Sequence, residues 1–96
     1  PELSQSLLQI ESYCQRLAER LPDQNVSPIH RDFYYDQVLV SNEHVYLLDL
    51  DLASMGPAEL DVGNYLAHLD EFGIRFPSDK DRCKELGKHF LEGYLA

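Results

Sequence analysis

Basic side chains are scarce in this sequence. Eight Lys and Arg stand against seventeen Asp and Glu, a net charge of −9 at neutral pH. A protein that holds nucleic acid by its phosphates needs the opposite sign, so the balance argues against that partner. Long apolar runs are also missing, and none approaches the roughly 20 residues of a membrane-spanning helix. The start, Pro1-Glu2-Leu3-Ser4-Gln5, has neither the basic residues nor the apolar stretch of a signal peptide. It has no initiator Met either, which points to a processed or trimmed chain. Cysteine occurs twice, at Cys14 and Cys83, with no Cys-x-x-Cys pair, so a structural zinc site is not expected. Both cysteines fall on apolar faces, and two buried free thiols in a cytoplasmic protein are the expected state.

What is present suits one small domain. The chain has 96 residues, 44% of them apolar. At this size only about 60–65% of the unfolded surface is buried, which leaves a thin core. Leu3, Leu7, Ile10, Cys14, Leu17 and Leu21 recur at spacings of four and three, predicting a helix over 3–21 that stops at Pro22. The stripe spans under three heptads and reads as an internal packing face rather than a coiled-coil seam. Residues 26–37 have no clean period and are dense in titratable and aromatic groups, as expected of a functional loop, here over 28–37. Val38-Leu39-Val40 and Val45-Tyr46-Leu47-Leu48 flank Ser41-Asn42-Glu43-His44, predicting a hairpin with a four-residue connection. Its second strand is expected to run on through residue 52, with Leu48, Leu50 and Leu52 on one face and Asp49 and Asp51 on the other. Ser54–Pro57 reads as loop. Asp61 then caps a helix over 61–72, buried through Val62, Tyr65, Leu66, Leu69 and Phe72 and ended by Gly73 and Pro77. A capping box at Ser78-Asp79-Lys80-Asp81 opens a last helix over 79–95, buried through Cys83, Leu86, Phe90, Leu91 and Tyr94. The fold class is mainly α with a small β-hairpin (α+β), and the hairpin must lie on the helices.

Three carboxylates in two segments carry the chemical signal. His30-Arg31-Asp32 is followed by Gln37 five residues after the Asp, then the hairpin, then Asp49 and Asp51. Phosphoryl transfer needs a carboxylate that orients the acceptor hydroxyl and hard oxygen ligands for the Mg²⁺ on the nucleotide phosphates. A His-x-Asp, a side-chain amide, a hairpin and a further Asp bring both kinds of group into one cleft.

This arrangement resembles the catalytic and metal-binding loops of the protein-kinase-like fold, and within it the aminoglycoside phosphotransferase/choline kinase-like family. Leu48-Asp49-Leu50-Asp51 is similar to that family's apolar-Asp-apolar-acidic metal loop. Asp61-Val62-Gly63 resembles its downstream Asp at the start of a helix, and Phe90-Leu91-Glu92-Gly93-Tyr94 the helix that closes the motif region. The resemblance covers residues 26–94 and implies that the chain is a fragment of the C-terminal catalytic lobe. It implies that Asp32 is the catalytic base, with His30 bracing its loop. It assigns Asp49 and Gln37 to MgATP, with Asp51 a further metal contact, and has Asp61 hydrogen-bond the amides of the catalytic loop. The implied reaction moves the γ-phosphate of ATP to a hydroxyl of a small molecule such as an aminoglycoside or amino-alcohol. A cationic acceptor suits the negative charge.

Two departures qualify the resemblance. The family has Asn where this chain has Gln37, and the extra methylene shifts the amide oxygen by about 1.5 Å. No Gly-rich loop and no strand lysine for the nucleotide phosphates occurs; both belong to an N-terminal lobe, so the 96-residue chain is expected to be inactive alone. A non-catalytic, pseudokinase-like binding module and a metal-dependent phosphohydrolase built on His30, Asp32, Asp49 and Asp51 are the alternatives. His44, His68 and His89 share no spacing and read as structural.

Overall fold

The computed structural model describes residues 2–20 and 26–96. Three helices dominate: α1 (Glu2–Arg20), α2 (Ala58–Arg75) and α3 (Lys80–Leu95). Four short strands complete the chain: β1 (Ser27–Ile29), β2 (Val38–Ser41), β3 (His44–Leu47) and β4 (Ser54–Gly56). They form two separate antiparallel pairs, β1 with β4 and β2 with β3. The architecture is α+β and mainly helical.

Helix α1 has an acid in its first turn and a base in its last, both favourable to the helix dipole. Its apolar stripe is not internal: Leu3, Leu7, Ile10 and Leu17 are exposed, and so is Cys14. The expectation of a packed face and two buried thiols is thus corrected for this helix. Periodicity reveals that a helix has an apolar side but carries no information on what covers it. Leu21 and the breaker run Pro22–Asn25 lie outside the described residues.

The hairpin pairs Val38 with Leu47 and Ser41 with His44. Its connection is therefore two residues, Asn42 and Glu43, both left-handed at φ 46° and 70°. Two positive φ values match the twist of tight hairpins, which is why the strands extend one residue further at each side than expected. The segment expected as loop at Ser54–Pro57 contains β4, with Ser27 opposite Gly56. A Cβ on Gly56 would lie 2.6 Å from Ile29 Cδ1, so the absent side chain lets Ile29 close over the strand.

Helix α2 starts three residues earlier than expected, after Pro57, with the Leu60 amide donating to the Pro57 carbonyl. Gly73 does not end it. A Cβ there would touch Lys80 Cα at 3.4 Å, so this glycine admits the start of α3 to the flank of α2. A 3-10 turn over Pro77–Asp79 replaces the expected capping box, and no side-chain cap bond forms at Asp79. The core is small: Ile29, Leu69 and Cys83 are its buried apolar side chains among the described residues. Val62, Tyr65, Leu66 and Phe72 are half-buried around Leu69. On α3 Cys83 is buried and Gly87 and Phe90 are half-buried, while Leu86, Leu91 and Tyr94 stay exposed.

Candidate active site

The hairpin register brings the two chemical segments together. Beyond the last paired residues the ladder continues by one bond, from the Leu48 amide to the Gln37 carbonyl at 2.8 Å. Gln37, which closes a 3-10 turn over Tyr35–Gln37, therefore sits opposite Leu48 and beside Asp49. Strand β3 stops at Leu47, because Asp49 takes a left-handed conformation at φ 55° that a strand does not accommodate. The Asp51 amide then folds back to Asp49 Oδ1 at 3.4 Å, an Asx-type turn. The expected continuous strand through residue 52 is corrected accordingly: the chain turns at Asp49 rather than alternating through it.

His30 ties the loop to this turn. It is 5% exposed, and both ring nitrogens are bonded. The Asp32 amide donates to Nδ1 at 3.1 Å, and Nε2 faces the Leu48 carbonyl at 2.7 Å. An amide only donates and a carbonyl only accepts, so the ring is the neutral tautomer with its proton on Nε2. One imidazole thus fixes the backbone of Asp32 relative to the residue before Asp49. The Asp32 carboxylate accepts at Oδ2 from Gln37 Nε2 at 3.2 Å. A carboxylate only accepts, so the Gln37 amide is oriented with its nitrogen toward Asp32 and its Oε1 free of that contact.

Helix α2 holds the loop from the other side. Asp61, in the first turn of the helix rather than at its cap, accepts from the His30 amide at 2.7 Å and from the Arg31 amide at 2.9 Å. Arg31 is left-handed at φ 76°, an uncommon state for a side chain with a Cβ. One carboxylate spanning two successive amides is what stabilises that bend. One turn on, Asn64 Nδ2 donates to the Phe33 carbonyl at 3.0 Å. Phe33 packs among His30, Tyr65 and Phe90, with centroid separations of 6.1, 5.2 and 6.1 Å. The next turn stacks His68 on Tyr34 at 4.3 Å, and Tyr35 meets Phe72 edge-on at 5.7 Å. Residues 61, 64, 68 and 72 form a single helical stripe, and that stripe tracks residues 30–35 in order.

The carboxylates of Asp32, Asp36 and Asp49 all act on Tyr34. Burial first, then the carboxylates of Asp36, Asp32 and Asp49, hold the Tyr34 hydroxyl above its ordinary range. One phenol is thus raised by the charges of both Asp32 and Asp49. At the far end of α2 the Arg75 guanidinium is held protonated, chiefly by its hydrogen bond to Glu71.

No cluster of three His, Cys, Asp or Glu able to hold a metal occurs among the described residues. Mg²⁺ on a nucleotide uses one or two carboxylates with phosphate oxygens and waters. Asp49 keeps one carboxylate oxygen outside the Asx turn, and Gln37 keeps its amide oxygen outside the contact with Asp32. Asp51 is exposed on the adjoining turn. Of the residues singled out in the sequence, His30, Asp32, Gln37 and Asp49 come together, Asp51 borders them, and His44 and His89 lie on other elements. Sequence reasoning missed Asn64 and the loop contact of His68. Their spacing from Asp61, three and seven residues, was the available signal.

The model of a phosphotransferase enzyme family, APH, matches residues 1–95. No curated protein and no solved structure matches the chain. No helix among the described residues is long and apolar enough to cross a membrane.

Proposed function

Because the chain belongs to the phosphotransferase enzyme family, we propose that it carries the part of an ATP-dependent kinase centre that activates the acceptor and holds the metal. The acceptor is a hydroxyl of a small molecule, an aminoglycoside or amino-alcohol, and the setting is cytoplasmic. The observation that carries the reading is the bonding of His30, which joins the Asp32 amide to the Leu48 carbonyl and so couples the two acidic segments.

In this reading the acceptor hydroxyl meets the Asp32 carboxylate, which Gln37 Nε2 orients. The hydroxyl oxygen bonds to the γ-phosphorus as the bond to the β-bridging oxygen breaks, and its proton passes to Asp32. Bound Mg²⁺ supplies charge neutralisation at the phosphates. Asp49 and the Gln37 amide oxygen would hold it, with Asp51 a further contact. His30 and Asp61 touch no substrate; they keep the loop in the geometry that Asp32 needs. The 96-residue chain supplies no cationic phosphate-binding loop of its own, so the complete reaction requires a nucleotide-binding lobe.

The Gln37 amide favours a second reading, a binding module without turnover. Its nitrogen is committed to Asp32 and its side chain is one methylene longer than Asn. The test is ADP release by the whole protein across a panel of amino-alcohol and aminoglycoside acceptors. Acceptor-dependent release, lost in Asp32→Asn, supports the kinase. Nucleotide binding with no release by any acceptor supports the binding module.

A further inference from the structure

Helix α2 grips the catalytic loop at more points than the Asp61 carboxylate. Two of its side chains reach the segment on the far side of Asp32. Asn64 Nδ2 donates to the Phe33 carbonyl, immediately after Asp32. His68 stacks on Tyr34 with ring planes 22° apart. Both side chains are half-buried at the helix–loop junction. With Asp61 bonding residues 30 and 31, helix α2 fastens the loop on both sides of residue 32, whose own bonds go to His30 and Gln37.

We propose that Asn64 and His68 are positioning residues for Asp32, setting its carboxylate against the acceptor hydroxyl by fixing the backbone of residues 33 and 34. The proposal rests on the kinase reading of Asp32, but its geometric part stands apart from it. The chemistry explains the residue types. The Phe33 carbonyl needs a donor, which Asn supplies and Asp does not. Tyr34 needs a flat ring at the His68 position, which His and Phe supply and Ala does not. A loop freed at residues 33 and 34 lets the carboxylate drift by an ångström-scale distance, and such drift costs on the order of a hundredfold in rate.

The test compares Asn64→Asp, His68→Ala and His68→Phe in the whole protein. Three quantities are read: kcat and KM for phosphoryl transfer, the amide NMR resonances of residues 32–34, and the thermal midpoint. Asn64→Asp keeps the shape but sets an acceptor against the Phe33 carbonyl. It is expected to lower kcat on the order of a hundredfold, to leave KM for MgATP near its starting value, and to move the Asp32 and Tyr34 amide resonances. His68→Ala does the same more weakly, and His68→Phe restores both readouts. If the midpoint falls while kcat and the loop resonances stay put, both residues merely support the fold and the proposal is overturned. If His68→Phe behaves as His68→Ala, the stacking half is overturned. A wild-type protein that transfers no phosphate defeats the kinase reading, and the amide shifts then decide the geometric claim by themselves. Should Asn64→Asp fail to fold, the two His68 variants decide it.

Discussion

Asp61 offers the sharpest energetic test of how the loop is built. Its carboxylate accepts from the His30 and Arg31 amides at 2.7 and 2.9 Å. Hydrogen bonds to a charged group are worth about 1.5–3 kcal/mol each. The two do not count equally after removal. His30 is 5% exposed, so its amide is left without water, whereas Arg31 is exposed and its amide rehydrates. Asp61→Ala is therefore expected to lose about 2–4 kcal/mol, the buried bond in full and a fraction of the other. The left-handed Arg31 adds strain of about 1 kcal/mol that the carboxylate no longer offsets. Adding Arg31→Gly to Asp61→Ala should therefore recover part of the loss. The assay is urea unfolding at constant slope, together with amide exchange at His30. A loss below about 0.5 kcal/mol, the range of an ordinary surface change, or unaltered exchange at His30, refutes the assignment.

Three further outcomes are expected. Gly56→Ala should destabilise by about 1–3 kcal/mol through overpacking against Ile29, read as a lowered unfolding midpoint; an unchanged midpoint means Ile29 is free to move away. The Tyr34 hydroxyl is held above its ordinary value of 10.0, so the folded state binds this proton more tightly than the unfolded state. Its contribution to stability is complete below pH 10 and is lost as the pH rises through the raised value. Tyr34→Phe should flatten the alkaline loss of stability, and phenolate absorbance should show one component that disappears in the variant. Gln37→Asn shortens the amide by a methylene and breaks its contact with Asp32. It is expected to raise metal affinity, with a gain in turnover if metal binding outweighs the lost orientation of Asp32; a drop in metal affinity would mean that the longer side chain is the fitted one.

The chemical core of the site was legible because its spacing is local. Asp32, the amide five residues later and the apolar-Asp-apolar-acidic run all lie within about twenty residues, joined by a hairpin whose period is visible. Less legible were features set by tertiary contact. The pairing of Ser27 with Gly56 joins two three-residue strands across the whole site, and segments so short carry no period. Positive φ at Arg31 and Asp49 has no sequence marker, since neither is Gly. The turn at Asp49 made an apparent strand end early. By residue pattern alone Asp61 looked like a helix cap, because caps and long-range acceptors use the same residue types; its bonds to the loop amides came from the family resemblance, and the structure has them. Asn64 and His68 were overlooked because a polar residue on a helix usually faces solvent, and only the fold shows the loop beneath them. The exposed stripe of α1 marks the opposite limit, a clear pattern with no partner inside the described residues.

The central claim is that Asp32 and Asp49 line one cleft that would take a divalent ion together with nucleotide. Paramagnetic broadening by Mn²⁺ in the presence of ATP measures that arrangement in the whole protein. The amides of Asp32, Gln37 and Asp49 should broaden together, and Asp49→Asn should abolish the effect at all three. Broadening confined to one segment, or centred on the acidic faces of α2 and α3, would contradict the account.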